Sequence, residues 1–453
     1  MDGSAISSGM NLTRTLAERA VAVSYDTLPE RVREVARQCV LDYLGVGLAG
    51  ADDELVRILL DELSEAGGAA QAAVIGHAAR LPVGAAALVN GAIAHALDYD
   101  DVNLAMPGHP SVAILPALLA LAEEKKASGK AVIAAFVAGY ETCCRIGMTL
   151  RPGHYNRGFH ATGTVGAFGA ATACAHLLGL DAEATGRALG IAGTQSAGLK
   201  SQFGTMCKPF HAGKAAQNGL LAARLAARGF SSRPDIIECE QGFSATHAPE
   251  FHPEQALAEP KQGYHIFNNL FKYHAACYMT HAPIECGRQL REQGVAPADI
   301  AAIKLAAHVA IDKVCNITAP TDGLEAKFSL RQTVAMALWG MDTASLGAYS
   351  VTTATDPALV ALRERVNFDF REDFPEAGAE ITVALKDGGK MTASFDAGIP
   401  MADIAAQGKR LGDKFDALAA PVAGVARARE LCEAVARLAA LSDVGVLAKL
   451  AAR

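Results

Sequence analysis

Apolar residues recur at three- and four-residue intervals through most of the first 267 positions. This spacing places them on one face of an α-helix, and it predicts one helix after another. Because glycine tolerates the left-handed conformation of helix caps, we expect helices to end at Gly129, Gly179 and Gly229. The clearest helical segments are residues 29–50, 83–99, 112–129, 131–148 and 213–229.

The pattern changes after residue 299. Residues 300–311 partly alternate between apolar and polar, and residues 379–385 and 390–395 flank an Asp-Gly-Gly turn at 387–389, which indicates a β-hairpin. Helical spacing returns from residue 400 to residue 450. The predicted fold is mostly α, with a large all-helical domain of residues 1–267 plus 401–453 and a smaller α+β domain inserted at residues 268–400.

The composition limits the partners that the chain is expected to bind and the cellular compartment in which it is expected to lie. The chain has 453 residues, 51% of them hydrophobic, and a net charge of −7, which disfavours nucleic acid and anionic membranes as partners. No apolar run reaches the ~20 residues of a membrane span. The amino terminus lacks a signal-peptide pattern, and we expect a short disordered lead into a helix capped near Asn11 or Thr13. Ten cysteines without a CxxC pair favour reduced thiols and a soluble, cytoplasmic protein.

An acidic chain that binds an anion has to concentrate positive charge in one place. The first candidate segment is HALDYDD at 95–101, followed by GHPS at 108–111. Aspartates at a helix C-terminus oppose the helix dipole. Asp98 could therefore orient a histidine and keep it cationic, the alternative being a solvated last turn. His109 is predicted to lie on a Gly/Pro loop, where functional residues concentrate.

A second segment, GHYNRGFHATGT at 153–164, precedes a glycine-rich helix start. It contains Tyr155, Arg157 and His160, and the backbone amides of a helix start form an anion site. Arg157 could clamp a carboxylate, although an exposed salt bridge explains it equally well.

Two further segments carry lysines. Lys208 and His211 are predicted on a loop that leads into an apolar helix, where a bound carboxylate would offset a lysine that otherwise opposes the helix dipole. Lys272 and His274 lie near the predicted domain junction, and His274 would share a helix face with His281 if that segment is helical.

Other kinds of site fit the sequence less well. His/Asp clusters allow a metal, but the HxxxH, HExxH and CxxC spacings are missing. Cys207 reads as a packing residue at a helix start, and no nucleophile motif, phosphate-binding loop or GxGxxG context is evident. We therefore predict neither a metal nor an organic cofactor.

These motifs together resemble those of the MmgE/PrpD family, named for 2-methylcitrate dehydratase. The resemblance extends over nearly the whole chain and keeps the motifs in the family's order. The similar stretches are HALDYDD at 95–101 with GHPS at 108–111, FHAT at 159–162, FGTMCKP at 203–209 and KYH at 272–274.

The resemblance implies a homodimer, a large helical domain with a smaller α+β lid domain, and no cofactor. The family's activities are dehydration of 2-methylcitrate, decarboxylation of cis-aconitate to itaconate, and epimerisation of iminodisuccinate. Where the decarboxylases carry a tyrosine near the lid, this chain has VCN at 314–316, which argues against itaconate production; Tyr155 is similar to the epimerase pattern. The active-site residues carried over from the family are Asp98, His109, His160, Lys208 and Lys272.

Three hypotheses follow. The first is a dehydratase-like lyase of a small di- or tricarboxylate, with His109 or His160 as acid or base and with Lys208 and Lys272 as carboxylate anchors. His274 and Arg157 are further substrate-binding candidates. The second is an epimerase that uses two bases on opposite faces of a carbon, Tyr155 and a lysine. The third is a carboxylate-binding module without catalysis.

Overall fold

A computed structural model describes residues 11–453. These residues form two compact units, one of residues 11–271 with Asp403–Arg453 and one of Lys272–Ala402. The pattern predicts residues 268–400 for the inserted domain, and the second unit spans Lys272–Ala402. The expected amino-terminal lead lies outside the described residues, and the first helix begins at Leu12 with Asn11 as its N-cap.

The first part of the larger unit is almost entirely helical, as the spacing predicts. A two-stranded antiparallel ribbon, β1 (Ala72–Ala73) and β2 (Arg80–Leu81), interrupts it. The helices are α1 (Leu12–Val21), α2 (Glu30–Gly50), α3 (Glu54–Ala66), α4 (Val83–His95), α5 (Pro110–Lys125), α6 (Gly129–Thr149), α7 (Gly153–Asn156), α8 (Ala161–Leu177), α9 (Ala182–Gly193), α10 (Cys207–Ala226), α11 (Phe243–His247) and α12 (Pro253–Leu257).

Two predicted helix ends are wrong. Helix α4 stops at His95 rather than at residue 99, and α5 stops at Lys125, with Lys126 in the left-handed cap conformation at φ 52°. Gly129 begins α6 instead of ending α5, because the Ser128 hydroxyl accepts a hydrogen bond from the amide of Ala131 at 3.3 Å and so caps a new helix.

The smaller unit is α+β, and the fold class predicted from the pattern is confirmed. Its sheet has the order β4-β3-β5-β6, with β3 (Ile300–His308) parallel to β4 (Val366–Arg371) and antiparallel to β5 (Gly378–Leu385). Strands β5 and β6 (Lys390–Asp396) form the predicted hairpin. The helices of this unit are α13 (His281–Glu292), α14 (Asp312–Cys315), α15 (Gly323–Lys327), α16 (Leu330–Trp339), α17 (Val351–Thr355) and α18 (Pro357–Arg363).

The chain then returns to the larger unit as α19 (Ile404–Ala423), α20 (Val425–Ala436) and α21 (Gly445–Ala451). The Lys414 ammonium on α19 donates to Asp42 on α2 at 2.6 Å and to the backbone carbonyl of Tyr99 at 2.8 Å. All three residues are buried. Helix α19 therefore fixes the loop that follows α4.

Helices α4, α5 and α8 are buried along most of their length, and α10 packs against them with one buried face. Helices α4 and α10 approach closely, since a methyl group on Gly91 would lie 2.7 Å from the Cα atom of Gly213. This contact brings the end of α4 beside the start of α10.

We expect Gly91→Ala to destabilise the protein by about 1–3 kcal/mol, because the added methyl group meets backbone atoms that cannot move aside. The measurement is a denaturant unfolding curve. Gly84→Ala is the matched control on the same helix, since its methyl group would meet no atom of residues 11–453 within 4 Å. A Gly91→Ala protein as stable as this control would contradict the close packing of α4 and α10.

Helix Gly129–Thr149 is long and apolar enough to cross a membrane by length and composition, a possibility that the sequence pattern did not indicate. Within the described residues, 89% of its apolar window is buried inside the fold. Core helices of globular domains have the same character, so the length of this helix alone is weak grounds for a membrane span.

Candidate active site

Helix ends and helix starts bring the candidate residues of the larger unit together. His95 is the last residue of α4, while His109 and His160 are the N-cap residues of α5 and α8. Lys208 and His211 lie in the first turns of α10, so their predicted loop position is wrong. The helix starts at Cys207, which is exposed rather than packed.

Asp98 lies between a lysine and a histidine. Its Oδ1 atom accepts a hydrogen bond from the Lys208 ammonium at 2.6 Å and lies 3.6 Å from Nε2 of His109. The backbone of Asp98 has a positive φ of 50°, a conformation that non-glycine residues adopt rarely and often at functional sites. The predicted proximity of Asp98, His109 and Lys208 is therefore present in the structure.

A second carboxylate, Asp100, contacts two imidazoles. Nδ1 of His95 is 2.9 Å from Oδ1 of Asp100, and Nδ1 of His109 is 2.9 Å from Oδ2, in a bent contact that lacks hydrogen-bond alignment. The sequence predicts that Asp98 orients a histidine. The shorter contacts show that Asp100 holds the histidines more directly.

His160 completes the cluster and is almost fully buried. Its Nδ1 atom shares a hydrogen bond with Nδ1 of His211 at 3.0 Å, its ring stacks 5.8 Å from that of His95, and the edge of Phe203 meets it at 5.0 Å. The rings of His95 and His109 are 4.5 Å apart. The four histidines thus form one contiguous set, which we call the histidine cluster: His95, His109, His160 and His211.

Burial keeps much of this cluster neutral. It lowers the pKa of His95 to about 4, and it also lowers the pKa of His160 well below the ordinary value, with further lowering by His95 and by the Lys208 ammonium. Burial and then Lys208 lower the pKa of His211. Asp100 is different: burial raises its pKa, but His109 and His95 outweigh burial and hold it well below the usual value, so the carboxyl is ionised.

The charged residues beside the histidine cluster do not carry the net positive charge that the sequence predicts. Asp98 and Asp100 carry two negative charges and Lys208 one positive charge, so their sum is −1 while the histidines are neutral. The sequence predicts a concentration of positive charge at these residues. Among them, an excess of positive charge has to come from protonation of the histidines.

The same residues could hold a metal ion. One donor atom from each of His95, Asp98, Asp100 and His109 lies within 4.8 Å of the others, and nitrogen with carboxylate oxygen is a ligand set that Zn²⁺ uses. The Lys208 ammonium already contacts Asp98 at 2.6 Å and would repel a second cation there. The absence of a metal from the mechanism stays a prediction.

Tyr155 and Arg157 lie on the segment before His160. The Tyr155 ring packs against the ammonium of Lys200 at 3.5 Å, and the Tyr155 carbonyl accepts a hydrogen bond from the same group at 3.1 Å. Arg157 is exposed. Their roles as acid or base and as carboxylate anchor stay predictions.

Lys272 and His274 belong to the smaller unit, and both are buried. His274 lies outside a helix, so the condition for its sharing a helix face with His281 is not met, but their rings are 5.0 Å apart. The His274 ring lies between Thr343, at 2.8 Å, and Glu285, at 3.2 Å. These two partners fix the ring, and the roles of Lys272 and His274 in binding a substrate stay predictions.

The family is shown by comparison with known proteins. The sequence model of the MmgE/PrpD N-terminal domain matches residues 14–256, and that of the C-terminal domain matches residues 274–440. This chain belongs to the MmgE/PrpD family. The resemblance inferred from the motifs is thereby confirmed.

Two relatives align with this MmgE/PrpD chain over almost its full length. The cis-aconitate decarboxylase of Aspergillus terreus is 28% identical over 475 residues, covering 97% of this chain and 95% of its own. The cis-aconitate decarboxylase of Homo sapiens is 27% identical over 457 residues, covering 97% and 94%. Membership of this family and similarity to these two decarboxylases together support a lyase-like function at the level of the family.

Three members of the site in this MmgE/PrpD chain are not among the functional residues predicted from the sequence: His95, Asp100 and His211. His95 and Asp100 lie inside the HALDYDD motif, where three aspartates in four positions gave no basis for choosing among them. His211 follows Lys208 by three residues, which places both on one face of a helix. A helix start at Cys207 would have revealed that spacing.

Proposed function

We propose that this chain is a cofactor-independent lyase that acts on a small di- or tricarboxylate by proton transfer at a carbon next to a carboxylate. The observation that carries the proposal is the contiguous arrangement of a neutral, buried His160 and the pair of Asp98 with Lys208 around His109 and Asp100. A base, an acid and a cation are all supplied by the chain itself.

His160 is suited to accept the proton. Its depressed pKa keeps the imidazole neutral near pH 7, and Nδ1 is engaged by His211, which leaves Nε2 for the substrate. Removal of a proton beside a carboxylate builds up negative charge, and a fixed cation lowers the energy of that charge. Lys208 supplies such a cation once a substrate carboxylate replaces or joins Asp98 as its partner.

Dehydration of a 2-methylcitrate-like substrate is the leading reaction, and decarboxylation of cis-aconitate is the second candidate. The full-length similarity to cis-aconitate decarboxylases favours the second. The buried Cys315 stands in the VCN stretch where those enzymes are expected to carry a tyrosine, and this difference favours the first. Epimerisation of an imino dicarboxylate requires Tyr155 as one of two bases.

A panel of four substrates in D₂O separates these reactions: 2-methylcitrate, citrate, cis-aconitate and iminodisuccinate. Water loss produces a conjugated alkene, decarboxylation releases CO₂, and epimerisation incorporates deuterium with inverted handedness and neither product. We expect an alkene from 2-methylcitrate or its relatives. Thermal stabilisation by one compound without turnover of any of them would refute the lyase and leave a carboxylate-binding module.

We expect binding of the carboxylate to be coupled to proton uptake. The fixed charges of Asp98, Asp100 and Lys208 sum to −1, so a bound polyanion raises the pKa of His211, which is not assigned as the base, and the complex holds more protons than the free protein. Uptake should be on the order of one proton per ligand, and affinity should fall as the pH rises. Calorimetric titration of cis-aconitate in two buffers of different ionisation enthalpy measures this number; a binding enthalpy independent of the buffer would contradict it.

A further inference from the structure

We propose that Asp100 is a positioning residue that fixes the tautomers of two histidines at once, His95 and His109, and so presents Nε2 of His109 to the substrate. The inference rests on the proposed function for its catalytic meaning, but its structural content can be tested without a substrate. Neither Asp100 nor His95 is among the residues carried over from the family motifs.

The tautomers follow from the contacts. An ionised carboxylate only accepts hydrogen bonds. Nδ1 of His95 is hydrogen-bonded to one carboxylate oxygen at 2.9 Å, so it has to donate the hydrogen. Nδ1 of His109 lies 2.9 Å from the other oxygen without hydrogen-bond alignment, and at that distance the negative oxygen attracts an N–H group and repels a nitrogen lone pair. Each Nδ1 therefore carries a hydrogen, and each neutral ring has its lone pair on Nε2.

The orientation of His109 places the Nε2 lone pair of this tautomer where a ligand could contact it. Its Nε2 atom lies on the side of Asp98, 3.6 Å from Oδ1, and the same oxygen is bound by Lys208. A bare Nε2 in that place can accept a hydrogen bond from a ligand held by Lys208 and so orient it toward His160. The opposite tautomer would point a hydrogen at the ligand and a lone pair at Asp100.

His95 extends the effect of Asp100 to His160. Its ring lies 4.5 Å from that of His109 and 5.8 Å from that of His160, and Nε2 of His95 has no hydrogen-bond partner among residues 11–453. The contact with Asp100 is thus the polar interaction that sets the angle of this ring. One carboxylate thus orients the middle ring of three adjacent imidazoles.

Asp101 provides a matched control because it is the next residue and equally buried, at 1% exposure. Its carboxylate binds the hydroxyl of Ser111 and the amide of Asn269, at 2.9 Å for the latter. Burial, with help from Asp42, raises the pKa of Asp101 to about 7. The carboxyl of Asp101 is therefore only partly ionised near pH 7, whereas the carboxyl of Asp100 is ionised.

The first experiment is ¹⁵N NMR of the histidine side chains of the full chain, with His95→Gln and His109→Gln used for assignment. In the wild type we expect both rings to be protonated at Nδ1 and bare at Nε2 when neutral. A hydrogen on Nε2 of either neutral ring would overturn the proposal without any substitution at Asp100. Titratable groups that face these rings are Asp98, Lys208 and His160, so the pH series covers their ionisation as well.

The second experiment compares Asp100→Asn with Asp101→Asn. An asparagine keeps the shape but removes the charge, so we expect at least one of the two rings to lose its fixed tautomer. The Asp101→Asn protein should keep the wild-type tautomers. Equal changes in both variants would show a general loss of structure and overturn a specific role for Asp100.

Activity gives a separate readout if a substrate is found. Asp100→Asn should lower kcat by up to about 10⁴-fold, the loss that the wrong histidine tautomer causes in serine proteases, and should shift the pH profile, with partial recovery in Asp100→Glu. Wild-type activity and pH profile in Asp100→Asn would reject the positioning role. If no substrate is turned over, the NMR result still stands, so failure of the proposed function is distinguishable from failure of this inference.

Discussion

Replacement of His160 by glutamine is expected to lower kcat by about 10²–10⁴-fold, the usual contribution of a positioned general base. Glutamine is similar in size and keeps a polar group near His211, but it accepts no proton. Steady-state kinetics on whichever substrate of the panel is turned over measures the loss. Circular dichroism should show an intact fold, since the neighbouring contacts of His160 are mostly with other side chains of the cluster.

The pH dependence adds a signature. The pKa of His160 is lowered, so the free enzyme keeps this base unprotonated at pH values below 6.5, and the limb of kcat/KM that belongs to it should lie at more acidic pH than that of an ordinary histidine, about 6.5. His176→Gln at the far end of α8 is the control, since within residues 11–453 its ring bonds only to a backbone carbonyl, that of Val23 at 2.8 Å. Equal turnover by the two variants would remove His160 from the mechanism.

Replacement of Lys414 by methionine is expected to destabilise the protein by about 3–5 kcal/mol, the cost of breaking a buried ion pair from one side. The ammonium bonds to Asp42 at 2.6 Å and to the carbonyl of Tyr99 at 2.8 Å, and the two charged side chains are 4% and 2% exposed. Tyr99 lies between Asp98 and Asp100, so we expect activity to fall as well. Denaturant unfolding measures the first effect.

Two comparisons isolate the buried pair. Arg57→Met breaks an exposed pair with Asp61 and should cost at most about 1 kcal/mol. The double variant of Lys414→Met with Asp42→Asn should recover part of the loss, because no unmatched carboxylate is left in the interior. A Lys414→Met protein that unfolds at the wild-type denaturant concentration would disprove the structural role of this contact.

The helical pattern predicted most of the larger unit because its helices bury apolar residues at regular spacing. The boundaries were less predictable. Apolar spacing continues across residues 112–129, and the end of α5 depends on a left-handed lysine followed by the serine cap of α6. Both are local backbone events that apolar spacing does not reveal.

Motif resemblance led to Asp98, His109, His160 and Lys208, which the structure places in one cluster. It did not separate the roles of Asp98, Asp100 and Asp101. The positive φ of Asp98 breaks the helical direction, so the three carboxylates turn to different partners: Lys208, the two histidines, and Ser111 with Asn269. The convergence of Lys272 with this cluster stays a prediction.

The return of α19 to the larger unit has a consequence for the order of folding during synthesis. Asp42 is made early, whereas Lys414 leaves the ribosome only after the whole inserted unit has been translated. Every member of the histidine cluster precedes it in the chain. A nascent chain that stops short of this helix carries all the chemical groups of the site but lacks the clamp on its loop, so we infer that competence for chemistry is acquired late, in the final stage of translation.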